Sequence, residues 1–135
     1  MANENAVSNY SATIKESSRE LTAKERVMFK DLGNAVSMVD FARQAAESGG
    51  KAIIDYADYV IVDVHNDKAD DKDYTNYLII DRNGGKYYTG SQSFWNAFLN
   101  IYNEMKDEPE PWGIQLNLLP SKNYKGKEIL TCSLV

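Results

Sequence analysis

The succession of apolar patterns over residues 51–135 restricts the fold more than any other feature of the chain. Residues 53–65 are rich in Ile, Val and Tyr over a long stretch, as a strand requires. Residues 74–81 carry a second strand pattern and 86–89 a short third one. Between them Asn83-Gly84 is a strong hairpin signal, and Gly85 adds freedom at positive φ. Phe94, Phe98, Ile101, Tyr102 and Met105 then recur at three- and four-residue steps. That spacing predicts a helix over 91–106 with one apolar stripe, Trp95 at the stripe's edge, and Thr89 or Ser91 as the cap. Pro109 and Pro111 close the segment, because proline cannot continue a helix. Two further strand patterns follow. In 112–119, Trp112, Ile114, Leu116 and Leu118 share a face; in 128–135, Leu130, Cys132 and Leu134 point inward.

Strand, strand, strand, helix, strand, strand is the plan of a five-stranded OB barrel, whose loops and strand faces commonly bind single-stranded nucleic acid or oligosaccharide. The expected class is mostly β with helices (α+β): an OB-like barrel at 51–135 with a helix between strands three and four, preceded by short N-terminal helices. Residues 1–20 are polar, rich in Ser, Asn and Ala, and lack periodicity, which predicts a flexible tail. Residues 21–50 read as a short helical extension. Thr22-Ala23-Lys24-Glu25 has the form of a capping box ahead of a helix over 23–31. A second helix over 34–47 follows from Val36, Val39, Phe41 and Ala42, and Ser48-Gly49-Gly50 breaks it. In the long strand, alternation sends Tyr56, Val60, Val62 and Val64 toward the core and Tyr59, Ile61, Asp63 and His65 to the other face. A strand this long in such a barrel curls, so a bulge is expected near Ala57-Asp58.

A functional site is suggested by Ser121-Lys122-Asn123-Tyr124-Lys125-Gly126-Lys127, the loop joining the last two strands. The net charge of −5 argues against a polycation that coats nucleic acid, yet the segment 111–127 holds three Lys and no acid. Lys122, Lys125 and Lys127 supply charge for phosphates, and Tyr124 a face for a base; stacking contributes roughly 1–3 kcal/mol per base whatever its identity. Nine Tyr against four Phe and two Trp suit a wet binding surface, as they also suit a strand-rich fold. Tyr59, Tyr77 and one of Tyr87 and Tyr88 are the candidate platform on the strands, and Lys86 would extend the groove. The bland alternative is a solvated hairpin turn with tyrosines that fill the barrel.

Other chemistry finds little footing. Asp67, Asp70, Asp71 and Asp73 crowd one loop, but the spacing lacks the glycine and closing Glu of a calcium loop, and two lysines dilute it. His65 is the sole histidine, with Asp63 its nearest candidate partner. The chain has no phosphate loop, nucleophile elbow or metalloprotease helix, so no enzyme, metal or cofactor is expected. Cys132 sits in an apolar strand pattern, which suits a buried, inert thiol. The N-terminus has neither a basic nor an apolar signal region, and no apolar run approaches membrane-spanning length. A cytoplasmic protein with no membrane association is the expectation.

Several segments together resemble the small single-stranded-DNA-binding proteins of phages that infect Gram-positive bacteria. They are Val62-Asp63-Val64-His65-Asn66, Asp71-Lys72-Asp73-Tyr74, Tyr88-Thr89-Gly90-Ser91 and Pro120 through Lys127, with Leu21-Thr22-Ala23-Lys24-Glu25 upstream. The resemblance implies an OB-fold protein that protects single strands during phage DNA replication in the host cytoplasm, with single-stranded DNA and replication proteins as partners. One departure stands out. Many such proteins recruit partners through an acidic C-terminal tail, whereas this sequence closes on Thr131-Cys132-Ser133-Leu134-Val135. Two rival expectations are a protein-interaction module presenting a tyrosine-rich face, and a phage-type inhibitor or DNA mimic that uses the acidic loop and binds no nucleic acid.

Overall fold

Because Ala52–Asn66 is rich in Ile, Val and Tyr, the chain runs there as one strand of 15 residues. This computed structural model describes residues 10–68, 70, 72–121 and 126–135. In chain order the elements are β1 (Tyr10–Ser17), α1 (Ala23–Lys30), β2 (Val36–Ser37), α2 (Met38–Glu47), β3 (Ala52–Asn66), β4 (Asp73–Asp81), β5 (Lys86–Thr89), α3 (Gln92–Met105), β6 (Gly113–Pro120) and β7 (Glu128–Leu134).

The long strand β3 is shared by two pairings. Its first residues, Ala52–Asp55, run antiparallel to β6, and Tyr56–His65 run antiparallel to β4. The register slips between Tyr56 and Asp58, so the expected bulge at Ala57 is present, and the strand turns from one partner to the other there. Gly113 lies at this changeover: a Cβ on it would come 2.7 Å from the Ile54 carbonyl oxygen, so only glycine lets β6 approach. The path β2-β5-β4-β3-β6-β7 curls into an open, barrel-like α+β sheet whose end strands β2 and β7 do not pair. The β4–β5 turn is closed at Asn83-Gly84 as expected. Gly84 has φ +88, and the Asp81 carboxylate accepts the N–H groups of Asn83 and Gly85, each at 2.8 Å.

The tail expected over residues 1–20 is corrected from Tyr10 onward. Tyr10–Ser17 is β1, antiparallel to β3 from Tyr10↔Asn66 to Ser17↔Val60, on the edge opposite β4. Ala12 and Ile14 alternate inward along it. Two inward residues among hydroxyls and charges are too weak a period to register in sequence, so tertiary pairing decided the outcome.

Two apolar cores flank β3. The inner one joins Tyr59 and Ile61 to Tyr77 and Ile79 of β4, Phe94, Trp95 and Phe98 of α3, Ile114 and Leu116 of β6, and Met38 and Ala42 of α2. The outer one joins Val60, Val62 and Val64 to Leu78, Ile80, Leu21 and Phe29. Tyr59 and Ile61, assigned by alternation to an outward face, are therefore buried. Alternation separates the two faces of a strand but does not say that both are covered. The helices of 21–50 pack into the same cores as the strands.

The Thr22–Glu25 capping box forms as expected. The Glu25 N–H donates to Thr22 Oγ1 at 3.1 Å, and the Thr22 N–H donates to Glu25 Oε1 at 3.0 Å. Arg19 donates to Glu25 and, at 3.1 Å, to Asp58 of β3, which ties the start of α1 to the central strand. The Arg19 hydrogen bonds, with the Thr22 backbone N–H second, hold the Glu25 carboxyl at about 2, below its ordinary 4.5. A carboxyl depressed by folding stabilises the protein fully above its unfolded value and loses that contribution as pH falls through the folded one. Thermal stability should therefore decline between about pH 4.5 and 2 more steeply in the wild type than in Glu25→Gln. Parallel melting curves for the two proteins across that window would remove this role for the carboxylate.

Candidate nucleic-acid interface

Of the seven residues that the sequence nominates for nucleic acid, Lys122, Tyr124 and Lys125 lie outside the described residues. Lys127 is exposed where the chain enters β7, and its carbonyl accepts the Ser121 N–H at 2.9 Å. It borders an open groove of about 410 Å³ between the β6–β7 connection, α2 and the start of α3. Arg43 of α2 enters this groove from the far side. Its guanidinium donates to Glu128 at 3.1 Å and lies 3.8 Å from Asp40. Ser91 and Ser93 form the end wall. Ser91 Oγ accepts the Phe94 N–H as the α3 cap at 3.1 Å, and Ser93 Oγ donates to the Leu130 carbonyl at 2.9 Å. Leu118 and Ile129 supply an apolar floor. Two cations, the Glu128 carboxylate that pairs with Arg43, hydroxyls and an apolar strip thus line the groove, and a phosphate entering it must displace Glu128 from Arg43. Arg43 was not singled out by sequence. The only sign of it is a cation on the polar side of an amphipathic helix, which is also what a solvated face looks like.

The strand tyrosines are corrected. Tyr59 is 7% exposed and Tyr77 8%. Tyr77 stacks on Trp95 with ring centres 4.8 Å apart and 9° between planes, and its hydroxyl donates to Gln92 Oε1 at 2.8 Å. Tyr59 meets the edges of Trp95 and Tyr102 at 5.2 and 5.1 Å, and its hydroxyl donates to Glu16 Oε2 at 2.7 Å. Burial first, then the Glu16 acceptor, raise the Tyr59 phenol well above its ordinary value. With their ring faces occupied from within, neither residue can stack on a base. The Tyr87–Tyr88 alternative resolves similarly. Tyr87 stacks on Phe41 at 5.4 Å, and Tyr88 packs against the outer core.

Lys86 is held against α1. Its ammonium donates to the carbonyls of Met28, at 2.8 Å, and Asp31, at the C-terminal end of α1. A cation there complements the negative end of the helix, where the Met28 carbonyl also accepts the Asp31 N–H at 3.3 Å, so its ammonium is engaged within the fold. The exposed strand tyrosines are instead Tyr10 (44%) and Tyr74 (36%) at the far end of β3. Tyr10 lay in the expected tail, and Tyr74 differed in sequence from its buried neighbours only by lying nearest the loop.

The β3–β4 tip is acidic, as the sequence implied. His65 lies between two carboxylates, with Nδ1 2.8 Å from Asp73 and Nε2 2.8 Å from Asp67. Asp63 accepts from the Thr75 hydroxyl at 2.9 Å. No group of three or more His, Cys, Asp or Glu among the described residues is arranged to hold a metal ion. Cys132 is half-buried, and burial pushes its thiol up to about 12. No helix among the described residues is long and apolar enough to cross a membrane. Comparison with protein-family models, with curated proteins and with solved structures gives no match for this chain.

Proposed function

We propose that this chain is a non-enzymatic, sequence-nonspecific single-stranded-DNA-binding protein on a five-stranded OB-like barrel, protecting single strands during phage DNA replication. The observation that supports it is connectivity. The order β5-β4-β3-β6-β7, with α3 between β5 and β6, fits a partly open five-stranded Greek-key barrel. In that plan the lysine-bearing connection between β6 and β7 is one of the two ligand loops. Lys122, Lys125 and Lys127, joined by Arg43 across the groove, pair phosphates, and Tyr124 stacks a base. Tyr59, Tyr77 and Lys86 have no part in it.

A fluorescence anisotropy titration with oligo(dT), matched duplex and RNA over a range of salt tests the reading. Combined Lys122→Ala, Lys125→Ala and Lys127→Ala should weaken oligo(dT) binding and flatten its salt dependence by about 0.7 in log–log slope per lost phosphate contact. Tyr124→Ala should weaken binding by roughly 1–3 kcal/mol and leave the slope unchanged, because stacking releases no counterions. Wild-type protein that ignores oligo(dT) at low salt overturns the proposal.

The rival protein-interaction reading has one observation in its favour. The outer face of β3, β4 and β5, where a strand platform is expected, is covered by Leu21 and Phe29, while Val27 and Met28 of α1 stand 66% and 50% exposed. An apolar helix surface suits a protein partner better than a nucleic acid. It predicts no salt-sensitive binding in the same titration.

A further inference from the structure

The imidazole of His65 and the two carboxylates around it form an arrangement that the DNA-binding reading does not use. His65 stands on β3 directly opposite Asp73 of β4 in the strand register, so backbone pairing fixes the distance between those two residues. Asp67 lies just past the end of β3, in the turn. There the Asn66 N–H donates to the Lys72 carbonyl at 2.7 Å and the Lys68 N–H to Asn66 Oδ1 at 3.0 Å. Each ring nitrogen faces a carboxylate oxygen at 2.8 Å. Only imidazolium can donate at both positions; neutral imidazole has one N–H and one lone pair. A lone pair turned toward a carboxylate repels it.

We propose that His65 is a proton-operated clasp on the β3–β4 turn: imidazolium holds Asp67 and Asp73 together, and loss of the proton releases Asp67. Asp67 is the one released because it belongs to the turn, whereas Asp73 is held by the ladder. The retained proton is therefore on Nδ1.

The surrounding charges favour the closed form near neutral pH. Asp63 follows the same side of β3, and Asp73 faces the ring from β4. The turn adds Asp67, with Lys68, Asp70 and Lys72 exposed around it. From β1 the same groove receives only Ser11 and Thr13, and Tyr74 completes its wall. The hydrogen bonds to Asp73 and then Asp67 raise the His65 value above the ordinary one. A group raised by folding contributes below its unfolded value and stops contributing as pH rises through the folded one, so the clasp opens on the alkaline side. Opening removes the imidazolium's positive charge from a groove of about 400 Å³ lined by Asp63, Asp73 and Thr75. The site is partly exposed and screened, so the effect belongs to the turn and not to global stability.

The test is a proton and nitrogen NMR titration of the imidazole in the full chain, where a single histidine leaves no assignment ambiguity. Amide exchange protection at Asn66 and Lys68 is followed alongside. The midpoint should lie above about 6.5, and Asp67→Asn and Asp73→Asn should each lower it. Above the midpoint the neutral ring should carry its proton on Nδ1. Protection at the two amides should fall about tenfold through the midpoint, the scale of one charge-assisted hydrogen bond. In His65→Gln it should be low and independent of pH. A wild-type midpoint at the ordinary value, a midpoint insensitive to Asp67→Asn, or protection that is flat across the midpoint overturns the clasp.

Discussion

A protein that begins at Leu21 should melt on the order of 10 °C below one that begins at Tyr10, the equivalent of about 3 kcal/mol. The truncation takes away β1, and with it the partner of Val60–Asn66 along one edge of β3. It uncovers the outer core where Ala12 and Ile14 pack, and removes Arg19, which holds Glu25 and Asp58. The Tyr59 hydroxyl also loses Glu16, its acceptor. A buried donor left unpaired costs about 1–3 kcal/mol by itself, and an unpaired edge of alternating valines invites association between chains. Differential scanning calorimetry of the two proteins decides the matter. Equal melting temperatures and equal solubility would show that β1 is dispensable, as its composition suggests.

Tyr59→Ala should be the most damaging single substitution among the residues first nominated for binding, at about 3–5 kcal/mol, the cost of emptying a buried aromatic site. It leaves a void against Trp95, Phe98 and Tyr102. Tyr59→Phe keeps the ring and loses the bond to Glu16, so it should cost about 1 kcal/mol and leave oligo(dT) affinity unchanged. A stacking residue would behave in the opposite way: Tyr59→Ala would melt like the wild type and bind DNA more weakly. Urea denaturation together with one binding titration separates the two.

What was readable in the sequence, and what was not, follows from how local each signal is. The capping box, the Asn83-Gly84 turn, the stripe on α3 and the bulge at Ala57 depend on a few adjacent residues, and all are present. The element order from β3 to β7 was equally legible. The failures are non-local. Whether Tyr59 faces water depends on α3, about forty residues downstream in the chain, and whether Val60 is covered depends on Leu21 and Phe29, as far upstream. Lys86 read as a free cation because the carbonyls it meets belong to residues 28 and 31. β1 was missed because an edge strand half open to solvent can be written almost entirely in Ser, Thr, Lys and Glu. Arg43 and Lys127 border one groove only because α2 packs beside β6.

The division of the interior into two cores carries a consequence for how the protein is made. Among the described residues, those of the outer core lie between Ala12 and Tyr88, so that core can assemble as soon as β5 has left the ribosome. The inner core cannot, because it needs Phe94, Trp95 and Phe98 of α3, then Ile114, Leu116 and Leu130, all made later. During synthesis of those last segments, the nascent chain is a half-finished sandwich with Tyr59, Ile61, Tyr77 and Ile79 turned toward solvent. Domains generally begin to fold from the N-terminal side as they emerge, and such exposed apolar faces are where chaperones bind. Stalled chains ending after β5 should accordingly protect the amides of Val60, Val62 and Leu78 from exchange before a single residue of α3 exists, and uniform exchange in those chains would show instead that both cores form together.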